Sequence, residues 1–417
     1  MENEQNIYTS FPGRQELLDW HGKQKKNGIP DVNGHIHSPE SFSAFSEMEL
    51  AFQMALNEGV QVLGINDFYT LEGYHEFALL ALKYKVFPLF NVEFMALQDR
   101  LQQDGIRVND PNNPGRTYFS GKGLRYPVRM SDASARKMSE LQKESNRQTY
   151  QMVERLNAYL IKAGINLYFD AAELHRKIAK GLFRERHIAQ AIRETIFELE
   201  GSVDGRMQLF NKLFSGKNLK SPVSDVAAIE NEIRGNLLKA GGVAFVPEDP
   251  KAFLTLEDVK SIIIDAGGIP CYPVLLDDAS GKFTEYESNK EKLMEELLEN
   301  EVYSIELIPG RNDCSILKDF ATYFYRNNFV VTFGTEHNTP QLDPLRISCR
   351  GGVPLDEDLK KINYEGAAVI AAHQYLQAQA GEGYLSGRKA KTGERNDFAQ
   401  LGKAVMAFFF SLQQQAV

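Results

Sequence analysis

Several apolar, β-like runs in this chain end on side chains that can hold a metal ion. Asp31-Val32-Asn33-Gly34 runs into His35-Ile36-His37, and Val62-Leu63-Gly64-Ile65-Asn66 stops at Asp67. Val86-Phe87-Pro88-Leu89-Phe90 leads to Glu93, Ser304-Ile305 to Glu306, and Val330-Val331-Thr332-Phe333 to Gly334-Thr335-Glu336-His337. Imidazoles and carboxylates gathered on one face would suit a divalent cation such as manganese, zinc or iron. His35 and His37 fall on the same side of an extended chain, because strand side chains alternate. With eight histidines in 417 residues, an HxH arises by chance in roughly one such chain in seven. The pair therefore gains its weight from its place at a strand end.

The elements between these runs must position them. Met48, Ala51, Phe52 and Ala55 recur at helical spacing within 45–58, and Gly59 supplies a stop signal. Residues 72–85 form a second helix with Phe77, Leu80 and Ala81 on one face. Strand and helix thus alternate over 31–93, which implies a parallel sheet. In a closed barrel of such strands, the C-terminal ends share the face where catalytic groups gather. The spacing also predicts an N-terminal helix over Arg14–Lys26. The alternation stops after 100. Residues 101–130, with Asn109-Asp110-Pro111-Asn112-Asn113-Pro114-Gly115, read as a long loop. Residues 131–244 read as an all-helical insertion, with helices at 133–163, 171–180, 187–200 and 223–239. The βα pattern resumes over 245–345, and 346–417 forms a C-terminal helical segment.

Composition narrows the classes. Apolar residues make up 43% and charged residues 25%, as in soluble globular proteins. The opening MENEQNIYTSFPG lacks the apolar centre of a signal peptide, and no apolar run reaches membrane-spanning length. Three cysteines, Cys271, Cys314 and Cys349, show no CxxC spacing, which fits buried, inert thiols in the reducing cytoplasm. A net charge of −9 gives no general footprint for nucleic acid. It leaves room for an anionic substrate, since a bound metal reverses the local field.

Plainer readings stand beside the metal. Asp67 fits a cap for the helix opening near Glu72, whereas Glu93, followed by Phe94-Met95-Ala96, fits capping less well. Glu336-His337 also fits a polar turn closed by Pro340. Arg388-Lys389-Ala390-Lys391 reads as a solvated loop or a phosphate clamp. His175 and His373 lie in helical stretches, as surface or packing residues. There is no Walker loop, no GxGxxG after a strand and no GxSxG elbow.

Together these segments resemble the PHP (polymerase and histidinol phosphatase) superfamily of metal-dependent phosphoesterases. The similarity covers 31–93 and about 245–340, in the same order. His35-Ile36-His37-Ser38 resembles the opening HxH[T/S], and Gly64–Gly73 resembles the I-T-D-H-D-T-x-x-G stretch. Asn91-Val92-Glu93 resembles G-x-E, and Ala266–Pro273 resembles A-G-G-I-P-V-x-A-H-P with one residue fewer. Ser304-Ile305-Glu306 resembles G-I-E, and Gly334-Thr335-Glu336 resembles G-S-D. Within the insertion, Arg184-Glu185-Arg186-His187-Ile188-Ala189 resembles an R-P-H-x-A segment of the family's small-molecule phosphatases. The resemblance implies an α/β fold, a distorted (β/α)7-type barrel with an all-helical insertion.

The departures shape the functional expectation. Phe68 stands at a family histidine, Phe42 near a ligand position, Tyr272 at the histidine of A-H-P, and Asn338 at the final histidine. The resemblance leaves His35, His37, Glu93 and Glu336 as one metal centre, where relatives bind two or three ions. Asp67 would orient a ligand imidazole, and His337, Asn338 and Tyr272 are further candidates at the centre. Arg184, Arg186, His187, Arg388 and Lys389 are the candidate clamps for an ester. The expected function is a phosphoesterase using one divalent ion, or two, on a small phosphorylated molecule, with no nucleic-acid or membrane partner. The alternative is a degenerate barrel that binds a ligand or partner without turnover.

Overall fold

In a computed structural model that describes residues 6–25, 28–276 and 283–412, seven strands form a distorted barrel. They are β1 (Asp31–Ile36), β2 (Val60–Phe68), β3 (Phe87–Leu97), β4 (Arg116–Lys122), β5 (Ile269–Val274), β6 (Ser304–Leu307) and β7 (Val330–Phe333). They lie side by side in chain order, and a parallel bridge between Ile36 and Glu336 joins β1 to the turn after β7. Neighbours are parallel except at β4, which runs antiparallel to both β3 and β5. A two-residue strand, Leu254–Thr255, adds to the far end of β3.

Strand β4 corrects the expectation of a loop over 101–130. Thr117-Tyr118-Phe119 is β-branched and aromatic, but Pro114-Gly115 before it and Gly121 and Gly123 after it mask the run. An antiparallel strand also needs no crossover helix. The link from β3 accordingly holds only a short helix, Asp99–Gln103.

Besides that short helix, three helices precede the insertion among the described residues: α1 (Arg14–Gly22), α2 (Met48–Glu58) and α3 (Tyr74–Tyr84). Helix α1 stops short of its expected end, and Lys26 lies outside the described residues. Gly59 ends α2 in a left-handed conformation, φ 73°, which glycine adopts without steric cost. The insertion holds α4 (Asp132–Lys162), α5 (Ala171–Ile178), α6 (Glu185–Leu199), α7 (Val203–Leu213) and α8 (Val226–Ile233). It adds no strand to the barrel. Helix α4 runs through two apolar clusters. Met138 and Leu141 belong to the barrel core, whereas Met152, Val153, Leu156 and Leu160 belong to the insertion's own core with Ile192, Phe210 and Ile229.

Helices α9 (Leu256–Asp265), α10 (Lys290–Glu299) and α11 (Cys314–Arg326) follow in the second barrel half, then α12 (Glu357–Ala378) and α13 (Arg395–Leu412). The last two close the barrel floor. Val32, Val62, Phe87, Ile269 and Val330, all at or near strand starts, share a cluster with Ala367–Ala372, Leu401 and Val405. Helix α12 also stitches the seam. Asn363 Nδ2 donates to the Val32 carbonyl of β1 (2.9 Å), and its Oδ1 accepts from the Phe333 N–H of β7 (2.8 Å). Gln374 likewise accepts from Phe90 N–H and donates to the Pro88 carbonyl of β3. Buried backbone groups need such partners where no strand supplies them.

Two outcomes follow. Asn363→Leu keeps the branched shape but orphans two buried backbone groups, so denaturant unfolding should show a loss of about 2–4 kcal/mol. His373 is fully buried in α12; Nε2 donates to the Gly267 carbonyl and Nδ1 accepts from Tyr384 N–H. Burial pushes its pKa down to about 4, against a partial opposing pull from Gly267. A histidine depressed in the folded state adds stability above the unfolded value near 6.5, lost as pH falls towards 4. The pH dependence of unfolding free energy should therefore include a drop of about 3 kcal/mol over that window, absent from His373→Gln.

Candidate metal centre

Strand β1 and the residue after it place His35 and His37 at the barrel mouth, and β3 places Glu93 there. Their donor atoms all lie within 4.8 Å of one another, and all three residues are buried. His35 Nε2 is 3.3 Å from His37 Nε2, and His37 Nε2 is 3.5 Å from Glu93 Oε2. Tetrahedral ligands at bond lengths near 2.0–2.1 Å stand about 3.4 Å apart. The spacing fits a metal ion that the three residues would share.

Both rings are aimed from behind. His35 Nδ1 donates to Glu306 Oε2 (2.8 Å). Burial raises the Glu306 pKa, but Lys122 and His35 outweigh it and hold the group below its ordinary value, an ionised acceptor. His37 Nδ1 donates to Ser41 Oγ (3.2 Å), whose hydroxyl donates to Asp67 Oδ1 (2.7 Å). Asp67 thus acts on His37 through Ser41, and also accepts from Ser38 N–H and Ser38 Oγ. Burial pushes Asp67 up to about 7, against the pull of those serines. The Asn66 amide nitrogen lies 3.2 and 3.0 Å from the two His35 ring nitrogens, beside the ring and off both lone-pair axes. With both Nδ1 atoms committed as donors, each Nε2 keeps a lone pair. Burial, then His35, Arg186, Lys122 and Arg311, hold the His37 pKa well below 6.5. Two lone pairs face each other at 3.3 Å, an arrangement that a cation between them relieves. Glu93 shows the same need: burial, then Glu336 and Glu306, push its pKa well up.

The structure departs from the expected fourth ligand. Glu336 is outside the converging group; its carboxylate pairs with Arg311 and accepts from Asn338 Nδ2. The cause is the backbone. Glu336 and His337 both adopt left-handed φ, 65° and 52°, uncommon for such residues and found where surroundings impose it. Here Thr335 and Glu336 N–H both donate to the His35 carbonyl, and the Glu336 carbonyl accepts from His37 N–H. A Cβ on Gly334 would lie 2.2 Å from that of His35, so only glycine lets the turn cross β1. His337 does not turn in. Its ring nitrogens engage Thr335 Oγ1 and the Asp343 carbonyl, and it stacks on Phe45. Tyr272 is directed to Glu287, to which it donates at 2.9 Å.

Above Glu93 opens a cavity of about 470 Å³ walled by Tyr118, Arg184, Arg186, Arg234, Arg311 and Asn338. Helix α4 sets the arginines in place: Asn146 and Thr149 hold the backbone of Phe183, just before Arg184. Arg184 lies over Phe68, and Arg186 over Phe42, whose ring stacks on His37 at 4.9 Å. Glu185 pairs with Arg184 and Arg234, whereas Arg186 has no carboxylate partner among the described residues. Burial, then Arg234, pushes Arg186 down to about 10, still cationic at neutral pH. His187 is a correction: its Nδ1 accepts from Arg184 N–H as part of the α6 cap, outside this cavity. Arg388 and Lys389 are also absent from it; Arg388 pairs with Glu257 and donates to Ser261. Sequence reading missed Lys122, Asn66, Ser41, Arg234 and Arg311, and kept Glu306 as a strand-end candidate without assigning it to the centre.

No family model matches the chain, and no curated protein matches it. Solved structures do. One is a protein from Bifidobacterium adolescentis assigned as a metal-dependent phosphoesterase: TM-score 0.53, 13% identity, covering 81% of this chain and 96% of that one. Another is an amidohydrolase from Chromobacterium violaceum, solved with bound sulfate and no metal: TM-score 0.50, 14% identity, covering 79% of this chain and 96% of that one. At these identities the likeness is one of fold.

The geometry sets an outcome for metal addition. Purified protein exposed to Mn²⁺ or Zn²⁺ should retain one ion per chain by elemental analysis. At a hundredfold excess over Kd, the ion should add about 2.7 kcal/mol of stability. His35→Ala and His37→Ala should lose both the ion and the gain. Retention by either variant would contradict the assignment.

Proposed function

We propose that this chain is a PHP-like phosphoester hydrolase that acts on a small anionic substrate through one divalent ion. The observation that carries the reading is the meeting of two kinds of group. Two imidazoles and a carboxylate converge beneath a cavity that Glu93 lines, and arginines form its wall. A bound divalent ion supplies an acidified water and polarises a phosphoryl oxygen. His35, His37 and Glu93 would hold it, with His337 and Tyr272 engaged elsewhere. Arg186 meets an incoming phosphate without giving up a carboxylate partner. Arg184 and Arg311 add positive charge but must share it with Glu185 and Glu336. The fold likeness to a metal-dependent phosphoesterase, and the resemblance of the strand-end motifs, support the same reading.

One observation favours a second reading, binding without turnover. Phe42 stacks on His37 and lies 6.1 Å from Phe68, so two apolar rings occupy the flank of the centre. A screen of phosphorylated metabolites with Mn²⁺ or Zn²⁺ separates the two. Hydrolysis well above a His35→Ala control supports the enzyme. Equal rates across the panel support the binding protein. For a hydrolysed substrate, Arg186→Met should lower kcat/KM by about 10–100-fold, the worth of one charge-assisted hydrogen bond, while one ion still binds.

A further inference from the structure

Lys122 is the least expected residue at this centre. It ends β4 beside Ile269, at the start of β5, and is wholly buried. Its ammonium reaches Glu306 Oε1 at 2.6 Å and Asn66 Oδ1 at 3.2 Å. Glu306 lies beside Pro273, near the other end of β5. The lysine side chain therefore runs up the barrel interior, a reach that few side chains have. Glu306 is wholly buried too, and its second oxygen is the one that His35 Nδ1 meets. The carboxylate is gripped at both oxygens, by an ammonium on one side and an imidazole on the other.

We propose that Lys122 is a positioning residue of the metal centre: by clamping Glu306 it fixes the plane of the carboxylate, and through it the direction of His35 Nε2. This rests on the reading that His35, His37 and Glu93 hold an ion. Without the clamp, Glu306 keeps one hydrogen bond and can turn about it. His35 then swings away from the line towards His37. Asn66 contributes to the same device. Its Oδ1 accepts from Lys122, and its Nδ2 lies beside the His35 ring and donates to Ser120 Oγ at 3.3 Å. The plainer role is a buried counter-ion that only keeps the barrel folded. Removing one partner of a buried pair is strongly destabilising, so stability alone does not separate the two roles.

The test compares wild type, Lys122→Met and Lys122→Met/Glu306→Gln, using Zn²⁺ or Mn²⁺ titration calorimetry and the visible spectrum of the Co²⁺-loaded protein. The double variant strands no charge and still offers His35 an acceptor, so it carries the test if Lys122→Met does not fold. Loss of a group that orients a metal ligand typically costs 10–100-fold in affinity. Each folded variant should bind one ion about 10–100-fold more weakly than wild type, with altered Co²⁺ bands. A double variant with wild-type affinity and spectrum would leave Lys122 a counter-ion only and overturn the proposal. A wild type that binds no ion defeats the metal reading itself, and this inference with it. A wild type that binds one ion, beside variants that bind it equally well, defeats this inference alone.

Discussion

Two imidazoles whose Nε2 atoms face each other across 3.3 Å are the constraint around which the barrel mouth is built. The fold sets the direction of each ring by giving each Nδ1 a buried partner, Glu306 for His35 and the Ser41–Asp67 pair for His37. Each acceptor then has to be stabilised in turn. Ser38 donates twice to Asp67, and Lys122 faces Glu306. A polar interior of this kind is costly unless every member is satisfied. Asn66, Ser120 and Lys122, buried polar residues on the barrel strands, are what that requirement looks like in sequence.

The wall of the cavity comes from a different source. Its arginines belong largely to the insertion, yet they must stand at a fixed height above Glu93. Helix α4 provides the fixed height by packing its first turns into the barrel core and its later turns into the insertion core. Arg184 and Arg186 then rest on Phe68 and Phe42. Phe68 and Phe42 are thus seats for guanidinium groups.

Much of this was legible in the chain. Alternating apolar runs and helical spacings located every barrel strand except β4, and the break after 100 located the insertion. His35, His37 and Glu93 were read from their places at strand ends and from the resemblance that those motifs carry. What escaped notice depended on geometry across the barrel. Lys122 sits in a Gly-rich stretch with no periodic signal, and its partner lies 184 residues away. The resemblance put Glu336 at the centre, but two left-handed residues turn its backbone carbonyl towards His37, and its carboxylate pairs with Arg311. Arg388 and Lys389 read as a clamp only because local charge density ignores where a hairpin lies.

The seam between β1 and β7 carries a consequence for how the molecule is made. Asn363 joins the Val32 carbonyl to the Phe333 N–H, so a residue late in the chain seals a gap beside one of the first strands. On the ribosome, β1 emerges more than three hundred residues before the helix that seals it. For most of synthesis the backbone groups on its seam side have no partners, and His35 and His37 have no fixed floor beneath them. Contacts between such distant parts of a chain form slowly. His35 and His37 are therefore among the first groups made and among the last to be locked in place.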